Sequence, residues 1–220
     1  MAWIGDGGSN SETGVFSSEK VREVMISVDR ADFCSGNPYH DSPQTIGYGA
    51  TISAPHMHAM ALEGLLDVIK PDSHILDVGS GSGYLTACFA KLIGPNGTVI
   101  GIEHIDELVE LSERNLRKHH SKYLDNGQIK IVTGDGRKGY ESESPYDAIH
   151  VGAAAGELPQ ALIDQLSVGG RMLISRSEIQ VKEFVAIERL QDGQIRKRTL
   201  AHVNYVPLTE KEAQLNGRHR

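Results

Sequence analysis

A chain of 220 residues supports one domain with a full core and is short for two. With 39% apolar residues and a formal charge of −7, it has no broad positive field for nucleic acid. No apolar run reaches the roughly 18 residues of a membrane span, and the first residues lack a secretory signal. Cys34 and Cys88 stand outside any C-x-x-C spacing, so they read as reduced thiols of a cytoplasmic protein. The ten histidines show no metal-ligand spacing, and no metal is expected.

Residues 1–16 are rich in Gly and Ser and read as flexible. Ser17 or Ser18 is placed to cap a helix carrying Val21, Val24, Met25 and Val28 at i, i+3, i+4, i+7. Residues 29–49 lack periodicity but hold Pro38-Tyr39, Pro43 and Gly47-Tyr48-Gly49, the marks of an ordered loop. Ser53 then reads as the cap of a helix with Pro55 in its first turn and Met57, Ala61, Leu62 and Leu65 as its core stripe.

The chain is organised around HILDVGSGSGYLT. Ile75, Leu76 and Val78 suit a buried parallel strand, Asp77 interrupts it near its end, and Gly79, Gly81 and Gly83 lead into an apolar helix from Tyr84. Strand, glycine turn and helix collect backbone N–H groups that suit an anionic ligand moiety. The dinucleotide pattern G-x-G-x-x-G wants a third glycine where Tyr84 stands, which disfavours a nicotinamide dehydrogenase. Instead, Asp77-x-Gly79-x-Gly81-x-Gly83 resembles motif I of the S-adenosylmethionine-dependent methyltransferases.

Beyond it the pattern alternates. Residues 98–102 read as a strand ending in Glu103, 105–119 as a helix, and 129–132 as a strand ending at Gly134-Asp135-Gly136. A further strand spans 148–151, a helix 159–166 and a strand 171–174, and a hairpin begins near Phe184. The Arg117–Lys118 pair reads as a solvated helix face. This order predicts an α/β, doubly wound, mostly parallel sheet with helices on both faces, Rossmann-like, with ligands beyond the C-terminal strand ends. Glu103 suits two ribose hydroxyls, Asp135 with the Gly136 amide suits adenine, and the glycines admit the methionine end. Asp77 suits a cationic sulfonium. Each acid also has a bland alternative as a helix cap.

The chain further resembles one family, the protein-L-isoaspartate (D-aspartate) O-methyltransferases, through residues 37–63, 76–90, 132–140, 146–166 and 205–214. ISAPHMHA and DAIHVGAAA are specific to that family. The resemblance implies methyl transfer from S-adenosylmethionine to the α-carboxyl of isoaspartyl residues in damaged proteins and peptides, leaving S-adenosylhomocysteine. It makes residues 17–73 a substrate-side segment and 74–220 the cofactor-binding sheet and C-terminal strands of one domain. Ser53 matches the active-site serine, expected to orient the accepting carboxylate rather than attack it. Pro55, His56, Met57 and His58 match the segment adjoining the cofactor, together with Asp77, Gly79, Gly81, Ser82 and Gly83. Glu103 matches the ribose ligand, Asp135 and Gly136 the adenine contact, and Thr209 and Gln214 the C-terminal cofactor positions. Ile52, Val151, Gly152, Ala153 and Ala154 are expected near the peptide. His56 and His58, at i, i+2 on a helix start, point apart, which favours packing or hydrogen bonding over a metal or base role.

Two departures stand out. The N-terminal helical segment is shorter than the family's, and residues 175–180 (SRSEIQ) replace a Pro-Val-Gly-Pro loop, which predicts weaker peptide binding with cofactor binding intact. The competing readings are a methyltransferase for another carboxylate and a non-catalytic binder of the same cofactor that recognises modified aspartyl residues. A monomer without membrane or nucleic-acid partners is expected.

Overall fold

The computed structural model describes residues 17–178, 181–202 and 211–215. Helix α1, Glu19–Ser27, buries Val21, Val24 and Met25 as its spacing requires. Its predicted serine cap is replaced by a tertiary one. No side-chain cap bond forms at Ser18. The Glu63 carboxylate accepts instead from the amides of Ser17 and Ser18 at 3.0 and 2.8 Å and from Ser17 Oγ at 2.8 Å.

The segment expected as a plain loop contains a short 3₁₀ turn, Arg30–Asp32, and a hairpin of β1, Gln44–Gly47, with β2, Ala50–Ile52. Tyr48 and its flanking glycines all adopt positive φ, which closes the hairpin in so few residues. Helix α2, Pro55–Leu65, starts with Pro55, as expected, but its cap position is Ala54 and not Ser53.

The central strands are β3 His74–Val78, β4 Thr98–Glu103, β5 Ile129–Thr133 and β6 Tyr146–Ala155, all mutually parallel. Helix α3, Tyr84–Leu92, follows β3, and α4, Asp106–His119, with the short α5, Ser121–Asp125, joins β4 to β5. Arg117 on α4 is exposed and pairs with Asp125 at 3.3 Å. After α6, Gln160–Asp164, comes β7, Leu166–Glu178, parallel to β6; β8, Val181–Arg189, and β9, Ile195–His202, extend the sheet antiparallel. Among the described residues the strand order is β5-β4-β3-β6-β7-β8-β9, the doubly wound arrangement expected.

Several strands outrun their sequence signal. Residues 175–178, read as loop, continue β7 because β8 pairs with all four and β6 with the first two. Residues 179 and 180 of that segment, like 1–16, lie outside the described residues.

The alternation of β3 explains the layering. Ile75 points to the face covered by α1, α2 and α3, with Val99, Ala148 and Leu173 beside it. Leu76 and Val78 point to the opposite face with Ile100, Ile102, Ile149, Val151 and Met172. Asp77 therefore shares the face of Ile75, and its register partner His150 shares the face of Ala148. The fold places a carboxylate and an imidazole side by side at adjacent strand ends.

Candidate active site

The glycine turn leaves β3 with Gly79 and Ser80 amides donating to the Ile102 carbonyl at 2.9 and 3.2 Å, which ties it to the end of β4. Gly79, Gly81 and Gly83 all hold positive φ, a conformation costly for residues with a Cβ. Ile46 of the hairpin lies over this turn, since a Cβ on Gly81 would meet its Cδ1 at 3.2 Å.

Thr51, Ile52 and Ser53 form one wall of a cavity whose other walls are Gly79–Ser82, Leu85, His58, Asp77, His150 and Gly152. Its free volume is about 30 Å³, the size of a water molecule. The hairpin is the wall outside the main sheet. A larger cavity of about 520 Å³ lies between the 3₁₀ turn, β1 and α4, with Ile46 again in its lining. Gly152 is needed for close approach: a Cβ there would stand 3.2 Å from the Gly79 carbonyl.

Asp77 is 1% exposed and both its oxygens are engaged. Oδ2 accepts from Thr86 Oγ1 at 2.6 Å, and Oδ1 lies 2.8 Å from His150 Nδ1. His58, in the first turn of α2, is buried, with its Nδ1 3.3 Å from Arg30 Nη1 and its ring against Tyr84. Burial, reinforced by the Arg30 charge, pushes the His58 imidazole well below its ordinary range, so it stays neutral near pH 7.

Glu103 is 6% exposed at the end of β4. Its Oε1 accepts from the amides of His104 and Ile105 at 2.8 and 3.1 Å, and Oε2 accepts from Gly81 at 3.3 Å. The acid thus ties down the two residues that lead into α4 and still presents one oxygen to the glycine turn. Asp135 caps the 3₁₀ turn Gly136–Lys138 and pairs with Arg137 through Nε at 2.9 Å and Nη2 at 2.8 Å. That pairing, ahead of all other influences, holds its carboxyl below the usual carboxylate range.

Gln214, on the short helix α7, Lys211–Leu215, bridges His104 Nε2 at 2.9 Å and the Tyr48 carbonyl at 3.0 Å. It closes the hairpin onto the end of β4.

The structure thus gathers Ile52, Ser53, His58, Asp77, Gly79, Gly81, Ser82 and Gly152 around one cavity, with Glu103 bonded to its rim. The other expected residues stand outside that lining. His56 is partly exposed and bonds Asp41 at 2.8 Å, while Met57 packs into the core. Val151 is sealed in the far-face core, and Ala153 and Ala154 are also buried, so none of the three lines the cavity. The Asp135 carboxylate is occupied by Arg137, and Pro55, Gly83 and Gly136 shape turns and helix starts nearby. Thr209 lies outside the described residues. Sequence reasoning passed over His150, whose only signal was its place opposite Asp77 two residues before Gly152. Among the described residues no three His, Cys, Asp or Glu side chains converge as metal ligands, and no helix is long and apolar enough to cross a membrane.

Two buried polar atoms of the cavity residues, His150 Nε2 and Ser80 Oγ, have no partner among the described residues. With a glycine cradle and two acids, this lining fits a cationic, hydroxyl-rich ligand such as S-adenosylmethionine. Strand order, glycine turn and strand-end acid together define a class I S-adenosylmethionine-dependent methyltransferase. Residues 9–213 match the family profile described as "Protein-L-isoaspartate(D-aspartate) O-methyltransferase", and the chain belongs to that family.

Among its relatives, a Caenorhabditis elegans protein-L-isoaspartate O-methyltransferase is 50% identical over 98% of this chain and 99% of its own. One from Triticum aestivum is 51% identical over 92% of this chain and 89% of its own. A Plasmodium falciparum protein-L-isoaspartate O-methyltransferase, solved in complex with S-adenosyl-L-homocysteine, superposes with a TM-score of 0.84. It is 38% identical, over 89% of this chain and 93% of that one.

Proposed function

We propose that this chain methylates the α-carboxyl of isoaspartyl, and D-aspartyl, residues in damaged proteins and peptides, and that Ser53 orients the accepting group. The observation that carries this reading is the convergence of Ser53 with the motif I turn on one cavity. A carboxylate with a pKa near 4 is already ionised at neutral pH, so transfer needs no general base. In-line displacement at a sulfonium requires positioning and a dry site, which buried walls supply. Glu103 and the glycine turn hold the nucleoside and methionine parts of the cofactor, whose electrophilic methyl group is the chemistry it supplies.

Ser53 is not the cap of α2, and it lines the cavity beside the glycine turn. From there its hydroxyl can donate to a substrate oxygen. The resulting ester collapses to a succinimide without the enzyme. Buried free thiols at Cys34 and Cys88 support a cytoplasmic setting, and a formal charge of −7 supports a protein rather than a nucleic-acid substrate. We read the chain as a monomer.

The test supplies a tritiated methyl donor with matched peptides carrying Asp or isoaspartate at one position. Label entering only the isoaspartyl peptide is expected; equal labelling of both would favour another carboxylate, and none would favour a binding module. Ser53→Ala is expected to cut single-turnover methylation by about 10²-fold at unchanged S-adenosylhomocysteine affinity. Wild-type turnover in that variant would remove Ser53 from the reaction.

A further inference from the structure

We infer that the Asp77–His150 pair is a hydrogen-bonding dyad that presents His150 Nε2 as the acceptor for the α-ammonium group of the cofactor. The inference rests on the cofactor seat proposed above and adds a residue to it. Asp77 is expected from motif I to serve a cationic ligand. In this structure, however, its two oxygens already hold Thr86 Oγ1 and His150 Nδ1, and the side chain is 2% exposed. Its influence on a ligand therefore passes through the imidazole.

The register makes this possible. Asp77 and His150 are direct partners on the parallel strands β3 and β6, on the same face of the sheet. A carboxylate can only accept, so the ring donates to it from Nδ1 and Nε2 is left as the imidazole's acceptor position. That nitrogen is buried with no partner among the described residues, on a side chain only 5% exposed, in a residue that lines the cavity of the glycine turn and Ser53. A buried acceptor left open in a native protein calls for a donor.

The chemistry selects the donor. An ionised substrate carboxylate offers acceptors only, and would face a lone pair with the Asp77 charge behind it. An ammonium group offers three donors and a positive charge, and the same Asp77 charge strengthens the contact. The other groups facing the dyad do not change this. His58 is held neutral and Arg30 lies behind it, while Glu103 on the far rim adds negative charge.

The test compares S-adenosylhomocysteine with its analogue in which hydrogen replaces the α-amino group, by calorimetry on the full chain. Wild type is expected to prefer the amino form by about ten-fold or more. In His150→Asn, the shorter amide can still donate to Asp77 from the Nδ1 position but has no atom at Nε2. S-adenosylhomocysteine affinity is then expected to fall about ten-fold, with that of the analogue unchanged. In the wild-type protein, the ¹⁵N resonance of His150 Nε2 is expected to move upfield with S-adenosylhomocysteine and not with the analogue. This measurement stands even if the variant does not fold. Equal binding of both ligands by wild type, or equal weakening of both by His150→Asn, would overturn the inference. So would a raised KM for isoaspartyl peptide at unchanged S-adenosylhomocysteine affinity, which would assign the dyad to the substrate. Failure of wild type to bind either ligand would instead overturn the seat itself.

Discussion

Glu103 carries two duties that a strand-end acid usually has separately. One oxygen holds the amides of His104 and Ile105 just before α4, and the other reaches the glycine turn. A carboxylate oxygen has two lone pairs, so Oε2 can still take a ribose hydroxyl beside the Gly81 amide. Glu103→Gln keeps the shape and one acceptor but loses the charge. It is expected to weaken S-adenosylhomocysteine by about 1–3 kcal/mol, read by calorimetry, with a small loss of thermal stability from the weakened bonds to the His104 and Ile105 amides. Unchanged affinity with a lowered Tm would make Glu103 a structural anchor alone. Asp135 shows the opposite balance, because Arg137, two residues on, has already claimed its carboxylate. Its value to a purine would lie in the turn it shapes and the Gly136 amide beside it.

Among the elements, the β1–β2 hairpin and α7 decide access. Ser53 follows directly on β2, so wherever the hairpin goes, the candidate catalytic hydroxyl follows. Gln214 fastens the hairpin turn to His104 with two hydrogen bonds, and Lys211 pairs with Asp106 at 2.8 Å on the same rim. The latter pair is exposed and contributes little. Gln214→Ala is therefore expected to leave the fold intact while raising the dissociation rate of S-adenosylhomocysteine about ten-fold, measured by stopped-flow. An unchanged rate would mean that the hairpin opens independently of α7.

At the scale of the whole molecule, buried imidazoles set the acid limit. Burial, with the Arg30 charge second, lowers the His58 value well below 6.5; burial, with Lys91 second, lowers that of His120. Both groups bind protons less readily in the native state than in the unfolded chain. Their contribution is thus intact above about pH 6.5 and is lost as pH falls toward their native values. The loss is at most roughly 1.4 kcal/mol per pH unit for each group. The melting temperature is expected to drop from pH 7 to pH 5.5 before most carboxylates titrate. His58→Asn, which keeps an acceptor for Arg30, should flatten that slope, and an unaltered slope would exclude His58 as its source.

The sequence by itself determined the doubly wound order, the glycine turn, and the placement of Asp77 and Glu103 at strand ends. These are local: apolar runs, positive-φ glycines and acids at run ends follow each other within a few residues. The i, i+2 spacing sends His56 to Asp41 and His58 to Arg30, in separate hydrogen bonds. What depends on a partner distant in the chain was decided only by the tertiary structure. Glu63 displaced the serine cap of α1, and β6 and β8 drew residues 175–178 into a strand. Arg137 closed onto Asp135, and sheet alternation sealed Val151 in the far-face core. His150 is the plainest case. It sits in the family-specific run DAIHVGAAA, but nothing in that run points to Asp77, and only the register of β6 against β3, set by the burial of both strands, brings the two together.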